Sequence, residues 1–150
     1  MKKQKILITG GAGGIGSVFV NSLGSEYEID VVDNLNNGFL QNILNTSINF
    51  IEADISDSKT YDLLQDDYDC VFHLAAVSSL PFCENNKSLA IKYNVQGTLM
   101  LIEYCRKNGI NNFCFGGTSA VYENNTEDIF TEDLNVYPDL IYPLSKMFCE

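Results

Sequence analysis

No apolar run in this sequence approaches the ~20 residues of a membrane span, so a transmembrane helix is not expected. Basic residues are scarce, with 9 Lys and Arg against 20 Asp and Glu and a net charge of −11. Nucleic acid and anionic membrane surfaces both reward a basic face, and this balance argues against either as a partner. Solubility is the plainer use of the acidity. The N-terminus, MKKQKILITG, starts basic, but its apolar stretch is too short for a signal peptide and doubles as a strand. There is no C-x-x-C spacing, and the five cysteines (Cys70, Cys83, Cys105, Cys114 and Cys149) are odd in number. They read as buried reduced thiols of a cytoplasmic protein, with Cys83, in a loop, the one open to reactivity. No metal site is expected. Internal repeats and low-complexity linkers are also missing, which leaves a single domain of 150 residues, long enough for a core.

What is present begins at Ile6–Gly16, ILITGGAGGIG. The apolar start reads as a buried strand, and Ile15 to Leu23, with Val18, Phe19 and Leu23 on one side, reads as the helix that follows. Between them Gly10, Gly13 and Gly16 fall three apart, and Gly11, Gly13 and Gly16 also satisfy G-x-G-x-x-G. A sharp strand-to-helix turn needs glycine, and a pyrophosphate approaches bare backbone at a helix N-terminus, where unpaired N–H groups attract it. A Cβ at Gly13 or Gly16 would obstruct the phosphate or hold the helix off the strand. A second strand, Glu28–Val32, ends on Asp33, about 20 residues on, where a dinucleotide site sets a carboxylate on the ribose hydroxyls. That carboxylate repels a 2′-phosphate, and Asn34 to Gly38 offers no arginine to welcome one, so NAD is favoured over NADP. Asp33 beginning an ordinary turn is the plain alternative.

Further along, strand and helix alternate. A short helix is expected over Phe39–Leu44, a strand over Ile48–Glu52, and a short helix capped by Ser56 or Asp57 through Leu64. Cys70–Leu74 reads as a strand followed by a small-residue turn, Ala75 to Ser79. Asn85 or Asn86 then caps a long helix to about Asn108, with Gly109 at its left-handed end, and Asn112–Phe115 is a fifth strand. After a polar loop to Pro138 a last helix begins near Tyr142. This order predicts an α/β fold, a Rossmann-type doubly wound parallel sheet with helices on both faces. Residues 1–150 are expected to be an NAD-binding Rossmann domain. The chain stops at Glu150 in a helix only just begun, where such a sheet continues, so truncation before the C-terminal strands and a substrate domain is expected.

Tyr142 and Lys146 form Y-x-x-x-K, one helical turn apart and on one face. A free tyrosine titrates near pH ~10, so work as a base needs a stabilised phenolate, and an adjacent ammonium supplies part of that. An exposed helical pair is the plain alternative. Gly116-Gly117-Thr118-Ser119-Ala120-Val121-Tyr122 follows the fifth strand, at the sheet edge that opens on a ligand crevice. A hydroxyl there can hydrogen-bond a substrate oxygen, or Thr118 and Ser119 merely tie down the turn.

Together TGGAGGIG (Thr9–Gly16), VVDNL (Val31–Leu35), ADI (Ala53–Ile55), HLAA (His73–Ala76), NVQGT (Asn94–Thr98), TSAVY (Thr118–Tyr122) and YPLSK (Tyr142–Lys146) resemble the extended short-chain dehydrogenase/reductases. The similarity is closest to the NAD-dependent sugar-nucleotide epimerase/dehydratase group, and it covers essentially the whole chain. It implies that Gly10, Gly13, Gly14, Ile15 and Gly16 hold the pyrophosphate and that Asp33 and Asn34 hold the adenosine ribose. By the same resemblance, Asp54 and Ile55 border the adenine, and Leu74, Ala75 and Ala76 line the cofactor crevice. Asn94 matches an internal asparagine of structural or cofactor-supporting use. Thr118, Tyr142 and Lys146 match the catalytic set, with Tyr142 as acid/base, and Tyr142 and Lys146 also face the cofactor.

His73, the only histidine, tempts a general-base reading, but the family places it as a strand-end residue beside the cofactor. Dehydratases of the group carry T-D-E before V-Y, where this chain has Thr118, Ser119 and Ala120, so the acids for eliminating water are absent. Gly14 stands where Phe or Tyr is common. The resemblance implies an epimerase of a nucleotide sugar, in which hydride passes to NAD and returns to the other face of a keto sugar. A reductase, a dehydratase, a non-catalytic dinucleotide-binding module and an inert fragment are the alternatives. A homodimer is implied for a longer form, through the long helix and the Y-x-x-x-K helix.

Overall fold

Ile6, Leu7 and Ile8 follow one another with no polar face, and such a strand is stable only when covered on both sides. The computed structural model, which describes residues 3–150, sets that strand (β1, Gln4–Thr9) at the centre of a five-stranded sheet. Its companions are Tyr27–Asp33 (β2), Ile48–Glu52 (β3), Cys70–His73 (β4) and Phe113–Phe115 (β5). The order is β3-β2-β1-β4-β5 and every pair is parallel. The chain therefore winds outward from β1 to β3 and then crosses back to β4. The reversal falls between β1 and β4, the place where a doubly wound sheet opens a ligand crevice beyond its C-terminal strand ends.

Both faces are covered. Helix α1 (Gly14–Ser22) lays Val20 over Ile6, Ile8, Ile29 and Val31. The opposite face packs Leu7, Val32 and Val71 under Leu101, Tyr104 and Cys105 of a helix that ends at Lys107. Leu7 and Ile8 are fully buried, each contributing about 1.5–3 kcal/mol relative to exposure.

The long helix departs from expectation at its start and in its middle. It begins earlier than expected, as α2 (Leu80–Asn85), because Ser79 accepts from the Phe82 N–H and Pro81 sits in the first turn, where its missing N–H costs nothing. Asn86 is not the opening cap but a break (φ −133, ψ 52) before α3 (Lys87–Ile91). One π turn over Lys92–Gln96 then leads into α4 (Gly97–Lys107). Gly109, at φ +69, closes it as the sequence indicates, with the Ile110 N–H on the Cys105 carbonyl at 2.9 Å.

Phe39–Leu44 yields only a 3₁₀ turn at Leu40–Asn42, because the Asn21 carboxamide takes two of the backbone groups a helix would use, donating to the Asn42 carbonyl and accepting the Leu44 N–H, both at 2.8 Å. Asp57 caps a 3₁₀ run, Ser58–Leu63, through the Lys59 N–H. The last helix is α5 (Ile141–Cys149). Cys83 is buried inside α2 rather than in a loop, Cys114 is exposed rather than buried, alternating with half-buried Phe113 and Phe115 along β5, and Cys70 and Cys149 are half-buried. No described helix is long and apolar enough to cross a membrane.

The turn from β1 into α1 rests on bare backbone. Gly10 has φ +75, and a methyl there would stand 2.5 Å from the Ala75 nitrogen. A methyl on Gly16 would stand 2.1 Å from the Gly10 carbonyl oxygen, whereas one on Gly14 meets nothing within 4 Å. Gly16→Ala should therefore destabilise the fold by about 1–3 kcal/mol or more. Gly14→Ala should be neutral or stabilising by up to about 1 kcal/mol, both read from urea-unfolding midpoints.

Candidate functional site

At the C-terminal ends of β1, β2 and β4 lies a crevice of about 460 Å³. The glycine turn forms one wall. Ser17 is the first residue of α1 whose N–H finds an intrahelical partner, the Gly13 carbonyl at 2.9 Å, and no side chain caps the helix. The preceding N–H groups lie at the crevice, which Gly10, Gly13, Gly14, Ile15 and Gly16 line, and they suit an anion. A Cβ on Gly13 would touch only the Gly10 carbonyl, at 3.3 Å. Gly16 is therefore the glycine that packing demands, and Gly13 is the one that leaves space for a ligand.

β2 delivers Asp33 to the second wall, buried and hydrogen-bonded. Its Oδ2 accepts from the Ala12 N–H and its Oδ1 from the Leu35 N–H, each at 2.9 Å. One carboxylate thus ties the glycine turn to the end of β2 and holds Leu35 in a left-handed turn (φ 56), with lone pairs left for a ligand. Asn34, Asp54 and Ile55 continue this wall. Asp54 is held by the Ser56 N–H and hydroxyl at 2.8 and 2.7 Å, and Asn34 Nδ2 reaches its Oδ2 at 3.5 Å. Leu74, Ala75 and Ala76, beyond β4, form the floor between the walls.

Tyr142 and Lys146 enter from α5 and line the far end. Lys146 is only 3% exposed, its Nζ 3.9 Å from the centre of the Phe115 ring. Burial lowers its pKa from 10.5 to about 8, against the opposing pull of Cys149 and Glu150. Tyr142 packs against the buried cluster of Val77, Cys83 and Ala90, as does Tyr93.

α5 has no capping side chain of its own. Glu84, from α2, accepts the Ile141 N–H at 2.6 Å, and Glu123 accepts those of Asp139 and Leu140 at 2.6 and 2.9 Å. Two remote carboxylates therefore sit at the positive end of the helix that carries Tyr142.

Of the residues that the resemblance assigns to the cofactor or the chemistry, Asn94 and Thr118 do not line the crevice. Asn94 is buried in the π turn, where its carboxamide takes the Val77 N–H at 2.8 Å and gives hydrogen bonds to the Val77 carbonyl and Ser145 Oγ, both at 3.0 Å. It supports the crevice floor and α5 from below. Thr118 is half-buried at the start of the 3₁₀ turn Ser119–Tyr122, its Oγ1 accepting the Ala120 N–H at 3.2 Å, with its proton free to donate. His73 is fully buried, with both ring nitrogens engaged. Among the described residues no cluster suits a metal ion. Sequence reasoning missed Tyr93, which lines the crevice, and the capping acids Glu84 and Glu123. None of these carries a local signal, since their partners lie far along the chain.

Lysine burial has a testable consequence. Unfolded, Lys146 holds its proton up to about pH 10.5, and folded only up to about 8. Between those values the unfolded state binds more protons, so stability rises with pH, while below them the cost of burying the charge is present in full. Urea unfolding should show the wild type gaining stability relative to Lys146→Met as pH rises through this window.

The family model of the NAD dependent epimerase/dehydratase family matches residues 6–150. The chain is 31% identical to UDP-glucose 4-epimerase of Bacillus subtilis (strain 168), covering 97% of this chain and 45% of that protein. Its fold superposes, with a TM-score of 0.92 and 33% identity, on UDP-N-acetylglucosamine 4-epimerase from Methanobrevibacter ruminantium M1 in complex with UDP-N-acetylmuramic acid, covering 100% of this chain and 49% of that one. The UDP-glucose 4-epimerase of Thermus thermophilus, solved in complex with NAD, matches with a TM-score of 0.89 and 30% identity over 97% of this chain and 48% of that one. The chain spans about half the length of these relatives.

Proposed function

The chain belongs to the NAD dependent epimerase/dehydratase family, and we propose that it is the NAD-binding domain of an epimerase acting on a nucleotide sugar. One observation carries this reading. A single crevice has a phosphate-suited glycine turn and Asp33 on its walls, and Tyr142 with a buried Lys146 at its far end. The relatives named above are 4-epimerases of UDP-sugars, which supports both the reaction and the substrate class.

The residues fit NAD on structural grounds. The space beside Gly13 is open, the first N–H groups of α1 have no intrahelical partners, and Asp33 keeps acceptor capacity toward the crevice. Gly10, Gly13, Gly14, Ile15 and Gly16 would hold the pyrophosphate. Asp33 and Asn34 would hold the adenosine ribose, with Asp54 and Ile55 bordering the adenine and Leu74, Ala75 and Ala76 flooring the cofactor. Bound NAD supplies the hydride acceptor and donor.

The chain's own residues handle the proton. Tyr142 takes it from a sugar hydroxyl as the acid/base and later returns it. Lys146, one turn along the same helix, favours the phenolate and reaches the cofactor ribose. Thr118 lies outside the crevice lining but next to Gly116 and Gly117, which belong to it, and its hydroxyl, with its proton uncommitted, would steady the reacting oxygen from that side. Asn94 acts from below, on the floor and on α5. Serine and alanine at 119 and 120 leave no acid for eliminating water, which disfavours a dehydratase.

A homodimer through α4 and α5 is supported by exposed Leu99, Ile102 and Phe148 on those helices. Unpaired cysteines accord with a reducing, cytoplasmic setting.

Calorimetric titration tests the cofactor reading. NAD should bind saturably and NADP at least about tenfold more weakly, a gap of about 1.4 kcal/mol. Asp33→Ala should weaken NAD and narrow the gap. A folded chain that binds neither, or binds NADP better, contradicts the assignment.

A further inference from the structure

His73 takes no part in the chemistry above, yet it is the fully buried centre of a polar chain that runs from β1 through β4 to the helices packed beside them. The direction of each hydrogen bond in that chain can be deduced. Thr98 has one hydroxyl proton and gives it to the Asn94 carbonyl at 2.5 Å. Toward His73 Nε2, 2.8 Å away, Thr98 Oγ1 can therefore only accept, and Nε2 must carry the ring proton. Burial, with Lys146 close by, lowers the pKa of the imidazole to about 3, so the ring is neutral and Nδ1 is bare. Nδ1 then accepts from the Thr9 hydroxyl at 2.7 Å, and Thr9 Oγ1 itself accepts the Ala75 N–H at 3.4 Å. Beyond Thr98 the π turn presents the Asn94 carboxamide, which donates to Ser145 Oγ, and Ser145 donates to the Tyr142 carbonyl at 2.6 Å.

We propose that His73, as the Nε2–H tautomer, is a positioning residue that joins the crevice floor at Thr9 and Ala75 to the Tyr142–Lys146 helix, through Thr98, Asn94 and Ser145. Its ring nitrogens face a hydroxyl on each side, and Phe113, Phe115 and Lys146 surround it. The ring is not a base for a substrate in the crevice, because it has no free nitrogen. It holds by donating: without the Nε2–H, Thr98 loses its donor and the π turn loses the brace that sets Asn94 under α5. The consequence for catalysis rests on the function proposed above, whereas the hydrogen-bond direction does not.

Because His73 is the only histidine, ¹⁵N NMR of the full chain reads its ring without ambiguity. Nε2 should be protonated and Nδ1 bare, unchanged from pH 7.5 down to pH 5. An Nδ1–H tautomer, or a ring that charges in that range, overturns the proposal, and this measurement needs no variant.

Two substitutions then separate bracing from bulk. Gln reaches the Nε2 position and can keep a donor there, while the shorter Asn carboxamide reaches only the Nδ1 position and leaves Thr98 without one. His73→Asn should speed amide exchange across α5 by about tenfold, as for one lost hydrogen bond. His73→Gln should stay within about threefold of the wild type. NAD affinity should fall in the same order. Equal effects of the two variants on exchange would reduce His73 to a space-filling residue and sink the proposal. A wild type that does not bind NAD would sink the function proposed above, while the tautomer and exchange data would still judge the brace.

Discussion

The arrangement depends on a contact in which no side chain takes part. Gly10 lies so close to the end of β4 that its hydrogen occupies space a methyl would share with the Ala75 nitrogen and the Leu74 carbonyl carbon. That approach joins the turn after β1 to the loop after β4, across the point where the winding of the sheet reverses. Gly16 lets α1 leave the same turn at close range, so the open N–H groups of the helix face the gap. Asp33 completes the join from β2 by holding the Ala12 N–H. Three strand ends thus converge on one crevice, and its shape follows from backbone proximity. The cost of such closeness is strictness: a Cβ at Gly10 or Gly16 displaces backbone, which cannot swing aside as a flexible side chain can.

The opposite end of the site is built by the contrary means. α5 is nine residues long and lacks its own cap, so its start is not secured locally. Glu84 and Glu123 supply acceptors from elements far away in sequence, and Asn94 grips Ser145 from the π turn. Lys146 is buried against an aromatic ring. Each of these supports reaches α5 from a different part of the chain. The glycine end depends on what is missing from the side chains, and the Tyr142 end on polar groups brought in to satisfy it.

That contrast also explains what could be read in the sequence. The strands, the glycine turn, Asp33 and the spacing of Tyr142 to Lys146 were legible because each is set by neighbours within a turn or a strand length. The start of α2 at Leu80 was missed because a run of small residues hid the Ser79 cap and the Pro81 start. The break at Asn86 and the π turn have no periodic signature, since they answer to packing against α5. Tyr93 looked like one more residue of a long helix, and only the tertiary fold brings it to the crevice. Asn94 was recognisable by its motif, but only the fold reveals that it works from beneath the floor.

The central claim is that the crevice at the reversal point is a dinucleotide cradle, with its phosphate end at the start of α1. Mapping amide ¹H–¹⁵N shifts of the labelled chain during addition of NAD tests it most directly. The account predicts the largest movements at Gly13 to Gly16, Asp33 and Ala75 to Ala76, with smaller ones along α5 and none at the N-terminal ends of the strands. Shifts scattered over the surface, or concentrated away from the glycine turn, would contradict it.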